Sequence, residues 1–201
     1  MRVERVLVVG CGGLGGFVIE GLERLRVPEL VLMDGDVFCE SNMNRQLESG
    51  LDTLGKFKAE VYKERIWRKH GKNAVVVCEF LTEKNADIIR SVDLVVDCVD
   101  NIKTRLFLEK VCDGYQKTLI HGGLEGCCGQ VCACFPGEKK LSKLYAGKDE
   151  VRHSTNVYTV SVIAALEVAL VDKIMNDRED EIKGKLFLAN MDSFAVDELH
   201  I

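Results

Sequence analysis

Residues 10–16 read Gly10-Cys11-Gly12-Gly13-Leu14-Gly15-Gly16, directly after an apolar run. Glycines at the first, third and sixth positions allow a tight turn and let a phosphate approach the backbone. A helix starting there offers free N–H groups and the positive end of its dipole. Gly10, Gly12, Gly13, Leu14 and Gly15 are therefore candidate nucleotide contacts. Asp34 lies at the distance of about 20 residues expected of an acid that binds ribose hydroxyls. This pattern alone leaves NAD, FAD, SAM and ATP open. Three further clusters separate them: Asp34-Gly35-Asp36 with Ser41-Asn42-Met43-Asn44-Arg45-Gln46, then Gly55-Lys56-Phe57-Lys58, then Asp97-Cys98-Val99-Asp100-Asn101. Hydride transfer needs no cations beside the phosphates. Attack on the α-phosphate of ATP does, because charge builds on the transferred group and on departing pyrophosphate. Arg45 and Lys58 can supply it, one as a planar fork and one as a point charge. Asp100 can hold Mg²⁺ through one carboxylate.

Short β-branched runs alternate with segments of helical period and must position these groups. Strands are expected over 5–9, 30–34, 74–80, 94–99 and 119–122, with helices over 14–25, 53–70 and 104–115. Parallel strands need such crossovers, and ligands bind at the carboxyl ends of strands in open sheets. After Gly122 the pattern changes: a strand over 129–135 follows without a helix and is free to pair antiparallel. A polar loop is expected over 136–156, a long apolar helix over 157–175, a charged connection over 176–185 and a last strand over 186–191. The expected fold is α/β: Rossmann-like, doubly wound, mainly parallel, with antiparallel C-terminal strands. Residues 1–201 read as one nucleotide-binding domain, with no internal repeat.

The 201 residues are 47% hydrophobic and 29% charged, with formal net charge −5, which excludes a disordered chain and argues against nucleic-acid binding by bulk charge. No apolar run is long enough to span a bilayer or resembles a secretory signal. The nine cysteines, odd in number, fit a reduced cytoplasmic setting.

Taken together, GCGGLGG, LMDGD, SNMNRQ, GKFKAE, DCVDN and GLEGCCGQV resemble the ThiF/MoeB/HesA family, prokaryotic relatives of ubiquitin-activating enzymes. The resemblance covers nearly the whole chain and is closest to a short ThiF-type sulfur-carrier adenylyltransferase. Members bind Mg-ATP and adenylate the C-terminal glycine carboxylate of a small ubiquitin-like carrier protein. The resemblance implies Asp34 on the ribose, and Asn42, Arg45 and Gln46 around the phosphates. It implies Lys58 at the reacting phosphates and Asp100 on Mg²⁺, beside Asn101. Asp36 and Asn44 are expected near the nucleotide, with Lys56 as a helping cation. It also implies a homodimer, and a carrier ending in Gly-Gly from a thiamine, molybdopterin or related sulfur-transfer pathway.

The chain departs from the family in three ways. It starts almost at the first strand, and Arg2 and Arg5 lie outside the context of the arginine that longer members donate to a partner. It has no C-x-x-C pair, so no family-type zinc is expected; Cys127, Cys128, Cys132 and Cys134 read as small apolar residues rather than ligands. Residues 136–156 contain no cysteine for a thiol step, while Arg152 and His153 there are candidate carrier contacts. Two rivals remain in other classes. An NAD-dependent oxidoreductase shares the glycine loop but leaves Arg45, Lys58 and Asp100 unexplained. A non-catalytic nucleotide-binding scaffold for a carrier leaves Lys58 and Asp100 unused. A third variant activates a carboxylate on a small molecule or a modified RNA base.

Overall fold

The computed structural model describes residues 3–148 and 155–201. In chain order the elements are β1 (Arg5–Val9), α1 (Gly13–Arg24), β2 (Glu29–Met33), α2 (Lys58–His70), β3 (Val75–Val77), β4 (Leu94–Asp97), α3 (Ile102–Gly114), β5 (Thr118–Glu125), β6 (Cys128–Cys134), α4 (Lys140–Leu144), α5 (Val157–Met175), β7 (Lys185–Asn190) and β8 (Ala195–His200). The strands form an eight-stranded sheet in the order β3-β2-β1-β4-β5-β6-β7-β8. The first five are parallel, and β6, β7 and β8 add antiparallel. This is the doubly wound sheet with antiparallel C-terminal strands that the sequence pattern implies.

Strand alternation feeds two cores. Val6, Val8, Leu30, Leu32, Leu94 and Val96 pack under one face with residues of α1, α2 and α5. Leu7, Val9, Val31, Met33 and Val95 pack under the other with Leu108 of α3 and Leu141 of α4. Because both faces are covered, the parallel strands read as continuous apolar runs rather than alternating ones.

Several boundaries differ from the sequence pattern. The second helix starts at Lys58, not at 53, because the chain before it is held in turns. Gly55 takes φ +76°, Phe57 is extended at ψ 130°, and the Thr53 hydroxyl donates to the Glu48 and Gly50 carbonyls. The helical spacing of Leu54 and Phe57 mimics an amphipathic face that does not exist, and Phe57 is 44% exposed. β3 keeps three residues of the seven expected. Residues 136–156 are not uniformly loop, since α4 forms inside them. The charged connection after α5 buries Ile182, and β8 follows the strand expected to be last. β8 escapes the pattern because its side chains are mostly exposed on both faces. Arg2, Arg152 and His153 lie outside the described residues.

Candidate active site

A cavity of about 650 Å³ opens at the carboxyl ends of β1, β2, β4 and β5. Its position spans β1 and β4, where the strand order reverses and open α/β sheets bind ligands. Gly10, Gly12, Gly13, Leu14, Asp34, Asp36, Asn44, Arg45, Gln46, Lys58, Asp100 and Asn101 all line it. Residues from five separate stretches of chain thus converge on one space. Gly15, Asn42 and Lys56 do not line it.

The glycine loop explains its own residues. Gly10 has φ +93°, and a Cβ there would sit 2.6 Å from the Cys98 carbonyl oxygen. A Cβ on Gly15 would sit 1.8 Å from the Gly10 carbonyl oxygen, so this glycine lets α1 close on the loop. Gly12 caps α1 with no side-chain hydrogen bond, leaving the first N–H groups of the helix available to a ligand.

Asp34 is nearly buried just after β2. Its Oδ2 accepts from the Cys11 amide at 2.6 Å and its Oδ1 from the Asp36 amide at 2.7 Å. It therefore ties the acid to the glycine loop and keeps lone pairs for a hydroxyl donor. Burial pushes its carboxyl above the usual range, against the pull of these amides and of Lys58. The Lys58 Nζ, 5% exposed at the start of α2, lies 3.0 Å from Asp36 Oδ2. Asp36 aims this ammonium while its own side chain stays half exposed. Arg45 donates from Nη1 to the Ser41 carbonyl at 2.9 Å and to Asn44 Oδ1 at 2.8 Å. Gln46 is 7% exposed, and its Oε1 has no hydrogen-bond partner among the described residues although the residue lines the cavity. Such an orphan is costly unless a ligand or water satisfies it.

Asn42 is placed otherwise: its Oδ1 accepts from the Cys39 amide at 3.1 Å, closing a turn below the Arg45–Gln46 pair. Lys56 is exposed, and its carbonyl accepts from the Phe38 amide at 3.0 Å. On the far side Asn101 caps α3, accepting from the Thr104 amide at 2.8 Å. Its Nδ2 donates to Asp100 Oδ1 at 3.3 Å, orienting an exposed carboxylate at the cavity wall. One or two carboxylates with substrate phosphates is the usual Mg²⁺ donor set, and Asp100 is a single carboxylate of that kind at the cavity wall. Among the described residues no group of three or more His, Cys, Asp or Glu side chains is arranged to hold a metal by itself.

The structure adds lining residues that motif reading missed. Glu79, Phe80 and Leu81 follow β3, and Phe80 packs on Gly35, where a Cβ would lie 2.8 Å from the ring. Its signal was an exposed aromatic at a strand's carboxyl end, hidden by extending β3 through it. Thr104, Arg105, Gly122, Leu124, Thr155 and Val160 also line the cavity. His121, at a strand end, does not line the cavity; it is fully buried and its Nδ1 bonds Asp97 Oδ2 at 2.8 Å.

The glycine loop, the acid after β2, the lysine opening α2 and the aspartate after β4 thus occupy one cavity, and the ThiF family model matches residues 1–201. The chain belongs to the ThiF family. It is 36% identical over 115 residues to a tRNA threonylcarbamoyladenosine dehydratase of Haemophilus influenzae, covering 56% of this chain and 44% of that protein. It is 29% identical over 192 residues to the SAMP-activating enzyme E1 of Haloferax volcanii, covering 91% and 71%. A crystal structure of Escherichia coli MccB with AMPCPP and MccA shares its fold, with TM-score 0.81 and 21% identity over 98% of this chain and 63% of that one. The ThiF-family chain thus spans less than half of the dehydratase and under two-thirds of MccB. Among the described residues no helix is long and apolar enough to cross a membrane.

Proposed function

We propose that this ThiF-family chain is an adenylyltransferase that activates a carboxylate with ATP, and that residues 1–201 form one adenylation domain. The observation that carries the reading is the buried Lys58 ammonium aimed by Asp36 into the cavity that also holds the open N-terminus of α1 and Asp100. In this reading Asp34 accepts from the ribose, while Gly10, Gly12, Gly13 and Leu14 present backbone to the phosphates. Arg45, Gln46 and Lys58 surround the transferred phosphoryl group. Asp100, with Asn101 behind it, would hold Mg²⁺, which when bound would neutralise phosphate charge. The acceptor carboxylate attacks the α-phosphorus in line, and pyrophosphate leaves. The attacking group is already an anion, so no residue has to act as general base. Catalysis is then positioning and charge stabilisation by groups fixed before the reaction.

The acceptor we propose is a small ubiquitin-like sulfur carrier ending in Gly-Gly, of the thiamine or molybdopterin type. The relative named as a SAMP-activating E1, matched over 91% of the chain, supports an acceptor of this class. The dehydratase relative, named for a tRNA nucleoside, favours a second reading in which the same chemistry activates a carboxylate borne on RNA. We place the enzyme in the cytoplasm as a homodimer. Val37, Met43, Leu47, Leu51 and Phe57, all within 37–57, are each exposed, and these apolar side chains are the candidates for that association.

The test is ATP–pyrophosphate exchange with Mg²⁺, with and without Gly-Gly-ending carriers. Carrier-dependent exchange is expected. Exchange driven only by modified tRNA would favour the second reading. Retention of NAD without ATP binding would favour an oxidoreductase, and ATP binding without exchange on any acceptor a nucleotide-binding scaffold.

A further inference from the structure

Behind the cavity lies a buried polar hub that the proposed chemistry does not use. Tyr145, just past α4, places its hydroxyl among three partners: Arg105 Nη1 at 3.0 Å, Gln130 Nε2 at 2.9 Å and His121 Nε2 at 3.2 Å. The arginine and the amide nitrogen can only donate, so they occupy the acceptor sites of the hydroxyl. Its hydrogen must then go to His121 Nε2. His121 is thereby fixed as the tautomer whose Nδ1–H donates to Asp97 Oδ2 at 2.8 Å. A neutral ring fits this count, because burial and the Arg105 charge both push its pKa down. Asp97 Oδ2 also accepts from Arg105 Nε at 2.8 Å, and Oδ1 from the Val99 amide at 3.1 Å.

Arg105 carries this hub to the site. Its Nη2 donates to the carbonyls of Val99 at 2.6 Å and Gly122 at 3.1 Å, and the residue itself lines the cavity. It thus clamps the turn before Asp100 to the end of β5. One turn further along α3, on the same face, Glu109 accepts from the amides of Leu141 at 2.6 Å and Ser142 at 2.9 Å. Arg105 and Glu109 therefore hold the two ends of α4. α3 begins at the cavity with Asn101 and continues into this clamp, so hydrogen bonds join α4 to the wall formed by Thr104, Arg105 and Gly122. Gly123 shows how tight the seat is: a Cβ there would meet the Tyr145 hydroxyl at 2.8 Å.

The nucleotide candidates lie just past β1 and β2, in the loop before α2 and at the starts of α1 and α2, with Asp100 and Asn101 just past β4. β5 is two strands from β1 in the sheet, roughly 10 Å away at the usual strand spacing. That leaves the β5 side of the cavity to the second substrate. We propose that Tyr145 is a positioning residue for the acceptor, fixing through Arg105 the wall of β5 and α3 against which an extended, carboxylate-ended tail is held. This rests on the adenylation reading for the identity of that substrate, and on the hydrogen-bond hub for the coupling.

The experiment compares the full chain with Tyr145→Phe by hydrogen–deuterium exchange and by ATP–pyrophosphate exchange with a Gly-Gly-ending ubiquitin-like carrier. Amides of 141–145 and of 103–105 are expected to exchange at least about tenfold faster together, while those of α1 stay unchanged. KM for the carrier is expected to rise about tenfold with kcat within about threefold, and ATP affinity to stay within about twofold. Gln130→Met removes one donor to the hydroxyl and should move the same amides by a smaller factor. Faster exchange confined to 141–145, or a fall in kcat at constant KM, would overturn the proposal. A wild-type chain that gives no carrier-dependent exchange overturns the adenylation reading instead, and the paired amides still decide the coupling.

Discussion

Replacing Lys58 by methionine separates charge from packing at the proposed reaction centre. The lysine stem is 5% exposed, and methionine keeps most of its apolar volume. The partner left behind, Asp36, has a side chain 55% exposed, and the buried Asp34, which also feels this ammonium, keeps its two backbone amide donors, so the fold should hold. A unit charge about 4 Å from another is worth about 4 kcal/mol at an effective dielectric of about 20. Only the charge that develops in the transition state counts toward rate, and loss of one preorganised donor typically costs about 2.7–4 kcal/mol, or about 10²–10³ in kcat. The two figures agree, so Lys58→Met should lower kcat for carrier-dependent ATP–pyrophosphate exchange by about 10²–10³. ATP affinity should change by less than about tenfold, because the α1 N-terminus, Asp34 and Gln46 stay in place. The assay is isotope exchange with calorimetric ATP binding on the same preparations. Exchange within about threefold of the wild type would refute the role given to this ammonium.

Three other perturbations follow from the same geometry. Gly15→Ala puts a Cβ 1.8 Å from the Gly10 carbonyl oxygen, so ATP binding measured by calorimetry should be lost even where circular dichroism shows a folded chain. Arg65, 2% exposed, pairs with Glu20, Glu23 and Glu48 across α1, α2 and the loop after Gln46. Arg65→Ala leaves the buried Glu23 carboxylate only the half-exposed His70 ring as an ion-pair partner among the described residues, and should cost about 3–5 kcal/mol, lowering Tm by roughly 6–20 °C in a thermal melt. Glu167 is fully buried against Cys98 and Gly122, its Oε1 without a hydrogen-bond partner among the described residues, and burial raises its pKa well above the usual carboxylate value. The folded chain then keeps a proton that the unfolded chain loses, so this group's stabilisation is present below the unfolded pKa and falls as pH rises above about 4.5. Tm of Glu167→Gln should therefore decline less than wild type across that rise; parallel profiles would refute the assignment.

The sequence by itself determined most strands of the sheet, the winding of its first half and most of the residues proposed as nucleotide contacts. The reason is local: a buried parallel strand must be an apolar run, and a glycine loop entering a helix has few alternative forms. It also determined which residues sit at strand ends, and so that Asp34 and Asp100 would face one crevice. Other features rested on contacts between distant residues. Helix α2 starts at Lys58 because Phe57 bridges Val37 and Gly55 turns the chain, which helical spacing at 53–57 does not report. β8 forms because β7 offers it hydrogen bonds, not because its exposed side chains alternate. Only the tertiary structure decided that Asn42 closes a turn, that Phe80 enters the cavity and that Arg105 binds four groups. Hydrogen-bond partners 17 to 40 residues apart leave no period in the chain, and a buried histidine or tyrosine takes its role from whichever donors and acceptors the fold brings within reach.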